Sequence, residues 1–127
     1  MRSIWLAAAA VALSSSAVLA QDVANGEDVF KKCRACHAIG EGAKNLVGPQ
    51  LNGVIGRKSG SVEGFPYSDA NKNSGVTWDK DTFLKYIKDP KAFMPGNKMA
   101  FAGVKDDADA ADLYAFLAQF GPDGKKK

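Results

Sequence analysis

The chain has 127 residues, with 17 basic and 14 acidic side chains, 46% hydrophobic residues, two cysteines and one histidine. That length suits one domain rather than several, and a formal net charge of +3 without a basic stripe gives nucleic acid no footprint. Cysteine and histidine occur only within CRACH, residues 33–37, where Cys33, Cys36 and His37 are the whole complement of those residue types.

The first twenty residues, MRSIWLAAAAVALSSSAVLA, read as an address. A cationic start at Arg2 leads into an apolar stretch from Ile4 to Leu13, and Val18 and Ala20 occupy the small-residue positions before a cleavage point. The stretch is too short and too serine-rich at its end for a spanning helix. The expected division is a secretory signal over 1–20 and a domain over 21–127. Cleavage leaves 16 basic and 14 acidic side chains, a net charge of +2. No later apolar run approaches spanning length, so no stable membrane insertion is expected.

Gly26, Val29, Phe30 and Cys33 fall at i, i+3, i+4 and i+7, one face of a helix that runs into CRACH. Three chemistries compete for that motif. A disulfide-exchange pair suits an exported protein, but such pairs follow a strand and nothing strand-like precedes this one. Zinc needs four ligands, so a carboxylate would have to join Cys33, Cys36 and His37. C-x-x-C-H is also the signature of covalent haem attachment, in which each thiol bonds a vinyl group and the next residue offers its imidazole to the iron. The motif in an exported chain favours haem. With no second histidine, bis-histidine ligation and a second ordinary haem are excluded. The remaining soft donors are Met94 and Met99, both in KAFMPGNKMAFAG. The bland reading of either is a flexible core filler, but a methionine beside Pro95-Gly96 sits in loop chemistry, where ligands are often presented.

Farther along, Ser68 can cap a short helix over SDANKN that Gly75 ends. Thr77 can cap another through about Lys88, with Asp79 and Asp81 in its first turn, Pro90 beyond its end, and Phe83, Tyr86 and Ile87 on one face. Asp106, Asp107 and Asp109 lead into a last helix whose Leu113, Phe116, Leu117 and Phe120 repeat the helical spacing, and Gly121-Pro122 stops it. The glycine of the first helix and the aromatic side chains of the last allow a close crossing. GPDGKKK reads as a frayed polar tail. Without convincing alternation of apolar and polar residues, the fold expected is all-α, with long glycine-rich connections that a bound cofactor would order.

These residues together resemble the class I cytochromes c of the mitochondrial-like bacterial type, the cytochrome c2 kind. CRACH is followed in the family's order by GPQLNGVIGRKSG, FPYSDANKNSGVTW, YIKDPKAFMPGNKMAFAG and DLYAFL, so the likeness spans the mature chain. It implies a small fold in which crossing terminal helices and long loops wrap one haem c, attached through Cys33 and Cys36. It also implies His37 and Met99, 62 positions apart, as axial iron ligands, and Met94 as a packing residue. The Pro49 carbonyl matches the acceptor of the His37 ring N–H. Arg57, Tyr67 and Trp78 match the surroundings of the buried haem propionates, and Asn71, Tyr86 and Asn97 match polar residues on the methionine side. Phe101 matches the aromatic beside the exposed haem edge.

The resemblance further places Lys32, Lys91, Lys98 and Lys105 around that edge, with Asp106, Asp107, Asp109 and Asp112 on the far side. A basic face against an acidic back would orient docking onto acidic partners. Leu46 and Asp106 stand where some members carry lysine. The function implied is a monomeric periplasmic one-electron carrier between membrane redox complexes. Its partners would be a cytochrome bc complex with a terminal oxidase or a photosynthetic reaction centre. The contrary expectation, a peroxidase or nitrite-type reductase with open iron, would need distal catalytic groups, and no spare histidine exists to supply one.

Overall fold

The computed structural model describes residues 22–127, and the signal assigned to 1–20 lies outside them. Five helices follow in chain order: α1 (Val23–Phe30), α2 (Asp69–Lys72), α3 (Lys80–Lys88), α4 (Pro90–Phe93) and α5 (Asp107–Ala118). Each begins on a side-chain oxygen that accepts a backbone N–H otherwise left without a partner. Asp22 takes Asn25 N at 3.0 Å, Ser68 takes Asn71 N at 3.2 Å and Asp79 takes Thr82 N at 2.8 Å. Asp89 takes Ala92 N at 3.2 Å, and Asp106 takes Asp109 N at 2.8 Å.

The expected close crossing is present, because α1 packs against α5 through Gly26. A Cβ at Gly26 would strike the Asp112 carbonyl, and it would stand 2.8 Å from the Phe116 Cβ. Polar clamps tighten the crossing at the chain's start. Asn25 Nδ2 donates to Asp109 Oδ1 at 3.0 Å and to Asp112 Oδ2 at 2.8 Å, and Asp22 N donates to Asp112 Oδ1 at 2.8 Å. Deeper in, Phe30 meets Phe116 with ring centroids 5.3 Å apart. Phe30 and Leu113 are among the most deeply buried side chains of the core. Past α1 the chain tightens into i to i−3 turns, with Cys33 N bonding Phe30 O at 2.7 Å, so the attachment motif sits on a compact extension of the helix.

Three local expectations need correction. The helix assigned to Thr77 starts two residues later, on Asp79. Thr77 is instead paired with Lys58 in an antiparallel bridge, and Trp78 N bonds Arg57 O at 2.9 Å, so this backbone is committed before the helix can begin. Pro90 does not simply follow a helix but opens α4, where its missing N–H costs nothing at the first position. The tail is folded rather than frayed. Lys127 N bonds Gln119 O at 2.8 Å, Gly121 N bonds Lys125 O at 2.9 Å, and Lys126 lies over the Phe120 ring at 5.9 Å. The reversal passes through Gly124, at φ +82°, which packs so closely on the Gly40 carbonyl that a Cβ would collide.

Candidate functional site

The helices and the loops between them leave a cavity of about 510 Å³, within the range of ligand sites. Its wall draws on the whole chain. Cys33, Cys36 and His37 come from the end of the α1 extension, Pro49 and Arg57 from the following loops, and Tyr67 and Asn71 from the α2 region. Trp78 and Tyr86 come from α3 and its approach, and Met99 and Phe101 from the segment after α4. Eleven of the expected site residues therefore face one space, together with Lys32 and Lys98.

His37 is held from two sides. Its Nδ1 lies 2.7 Å from the Pro49 carbonyl, which as an acceptor requires Nδ1–H and leaves the Nε2 lone pair available. Burial lowers the imidazole's pKa from its usual value, the Pro49 bond opposes that, and the Arg57 charge lowers it further. The neighbouring Gly48 has no room for a side chain, since a Cβ there would stand 2.7 Å from Nδ1 and 2.8 Å from Nε2. Ring orientation is thus set by a hydrogen bond on one edge and by contact with bare backbone.

The methionine segment has its own brace. Asn97 Oδ1 accepts Met99 N at 2.9 Å, while Asn97 Nδ2 donates to Pro90 O at 2.9 Å and Met94 O at 2.8 Å. Asn97 is accordingly not part of the cavity wall but fixes the loop that carries Met99. Tyr86 Oη donates to Met99 Sδ at 3.6 Å, and burial pushes the phenol's pKa up to about 12, so it stays a neutral donor. Met94 is 5% exposed, caps the end of α4 and lies off the cavity wall, as a packing residue would.

The cysteines do not resemble an exchange pair. Burial pushes the Cys33 thiol up to about 11, the neighbouring Cys36 raises it too, and Lys32 opposes them weakly. Exchange cysteines need the reverse, a lowered pKa. Nor does zinc find a set, for among the described residues no three His, Cys, Asp or Glu side chains are gathered to hold an ion.

The cavity's charge indicates what fits it. No aspartate or glutamate lines it, yet Arg57 reaches its wall half-buried. Arg57 Nη1 donates to the carbonyls of Gln50 and Asn52, each at 3.0 Å, but no carboxylate among the described residues pairs with the guanidinium. A cation carried inward without a counter-charge fits a ligand that brings its own anionic groups. Haem, with an apolar body, two carboxylates and vinyl groups for the two thiols, meets each of those demands.

Of the remaining lysines, Lys91 borders a shallow depression beside Phe101, and Lys105 Nζ donates to the Lys88 carbonyl at 2.8 Å. Sequence reasoning missed the supports behind the wall. Asn52, 7% exposed, brackets Gly40 by accepting its N–H and donating to its carbonyl, both at 2.8 Å. Ser59, 5% exposed, bonds Asn71. Small polar residues between glycines read as ordinary loop, so no local signal marks them.

Fold and site define a small all-helical haem protein. Residues 23–121 match the family model described as cytochrome c. A cytochrome c2 of Blastochloris viridis is 57% identical over 127 residues, covering 100% of both chains. A cytochrome c2 of Rhodoplanes tepidamans is 65% identical over 107 residues, covering 84% of this chain and 100% of its own. The solved structure of cytochrome c2 from Rhodospirillum centenum superposes with a TM-score of 0.76 at 41% identity, over 80% of this chain and 99% of that one. The chain belongs to the cytochrome c family, as a class I member of the c2 kind. Its cofactor is one haem c held covalently through Cys33 and Cys36, and its work is electron transfer.

Proposed function

We propose that this chain is a periplasmic carrier of single electrons in which His37 and Met99 would both hold the haem iron. The pairing of a fixed imidazole with a braced thioether on one cavity wall carries this reading. The haem supplies a one-electron couple between ferrous and ferric iron. The chain's own residues keep that couple closed to chemistry and constant in geometry. Pro49 and Gly48 fix the His37 ring, so its Nε2 lone pair is oriented before any ligand bond forms. Asn97 and Tyr86 hold the Met99 backbone and sulfur. A thioether beside an imidazole favours a high reduction potential.

Arg57, Tyr67 and Trp78 would surround the propionates with donors, and Asn71, Tyr86 and Phe101 would line the remaining pocket. Lys32 and Lys98 on the cavity wall, with Lys91 and Lys105 nearby in the chain's methionine segment and beyond it, would steer docking onto acidic redox complexes. A cytochrome bc complex as donor, with a terminal oxidase or a photosynthetic reaction centre as acceptor, fits such a carrier. The leader at 1–20 would export it.

Replacing each methionine tests the ligand assignment. Met99→Ala should lower the potential, remove the weak far-red sulfur-to-iron band of the oxidised protein and admit carbon monoxide to the reduced one. Met94→Leu, which preserves volume, should change these little. The opposite pattern would reassign the ligand. Rapid carbon monoxide binding by the native protein would replace the carrier with an open-iron enzyme.

A further inference from the structure

Asn71 lines the cavity, and the direction in which its amide points is set by a residue behind it. Ser59 is 5% exposed, and its Oγ donates to Asn71 Oδ1 at 2.6 Å. The amide nitrogen finds no protein acceptor among the described residues, yet it is not sealed off from space as the buried Gln119 Oε1 is. The rest of Asn71 is already fixed. Its N–H bonds Ser68 Oγ at 3.2 Å, and its carbonyl accepts Ser74 Oγ at 3.0 Å. A planar amide so anchored keeps one freedom, the flip that exchanges oxygen for nitrogen.

The segment bearing Ser59 is itself rigid. Ser59 N bonds Val76 O at 2.8 Å, Lys58 pairs with Thr77, and Gly60 packs with its Cα position against Lys72, where a Cβ would come to 3.1 Å. The geometry assigns Ser59 a positioning role: its hydroxyl holds Asn71 Oδ1 outward so that the Asn71 Nδ2 hydrogens face the haem cavity. A flipped Asn71 would turn its Nδ2–H onto the Oγ lone pair, leave the hydroxyl hydrogen only the longer 3.5 Å contact with the Asn71 carbonyl, and aim its oxygen at the cavity. Facing inward, the N–H₂ end presents the positive pole of the amide dipole to the cavity. An oxygen there would present the negative pole and favour the oxidised centre, which carries one more positive charge.

This assignment rests on the proposed carrier reading, so its test uses the holoprotein with two readouts. The carbon and nitrogen shifts of the Asn71 carboxamide, followed by nuclear magnetic resonance, report the bond to Oδ1. The reduction potential reports the dipole. Ser59→Ala should shift those carboxamide signals from their native positions, because Oδ1 loses its donor, and should lower the potential. Ser59→Thr, which keeps the hydroxyl, should retain native values of both. In an Asn71→Ala background, Ser59→Ala should leave the potential unchanged, because its target is gone. Native carboxamide shifts in Ser59→Ala, or an equal fall in potential with and without Asn71, overturn the assignment. A native holoprotein without the far-red methionine band would overturn the ligand assignment instead, and the carboxamide shifts would still decide the role of Ser59.

Discussion

Gly48→Ala isolates the contact that orients His37. The backbone at Gly48 has no positive φ, so alanine meets no conformational penalty and the whole effect comes from space. The new methyl carbon would stand 2.7 Å from His37 Nδ1 and 2.8 Å from Nε2, and closer still to the ring carbon between them. Backbone cannot yield readily, since Gly48 N is itself bonded to Cys36 O at 2.8 Å, and the next residue supplies the Pro49 carbonyl. The ring must therefore turn, which breaks the 2.7 Å bond to that carbonyl. An orphaned buried donor costs about 1–3 kcal/mol, and overpacking adds about 1–3 kcal/mol. Together they give about 2–6 kcal/mol, a large part of an ordinary domain's stability. Melting of the holoprotein, followed by circular dichroism, should fall by at least about 10 °C. The far-red band and the potential should change as well, because the ligand's second nitrogen loses its acceptor. A Gly48→Ala protein with native melting, band and potential would show that neither the glycine nor the Pro49 bond orients the ring.

Gly26→Ala should be as damaging without touching the site, because its methyl would meet the Asp112 backbone, which no side-chain trimming can relieve; a loss above about 2 kcal/mol in denaturant unfolding is expected. Trimming Phe116 to leucine in the same chain should not rescue it. On the surface, Lys91→Glu should slow association with a cytochrome bc complex more than Lys80→Glu, since Lys80 lies over the Tyr114 ring at 5.5 Å, away from the depression beside Phe101. Both rates should fall as salt rises, because exposed charges are screened beyond about 10 Å at 0.1 M; equal effects at the two lysines would remove this docking face.

The chemistry and most of the helical frame were legible in the residues alone. CRACH names the attachment site because its meaning lies in the spacing of three adjacent reactive groups, and spacing is a local property. The faces of α1 and α5 were legible for the same reason, since helical periodicity is written in neighbouring residues. Features that depend on partners distant in the chain emerged with packing. Thr77 lost its cap to a bridge with Lys58, and the polar tail found order against Gly40. Ser59 gained its place behind Asn71, twelve residues away, although nothing near it in sequence distinguishes it from a loop serine. Buried polar groups must find partners wherever packing brings them, and that requirement is settled in three dimensions.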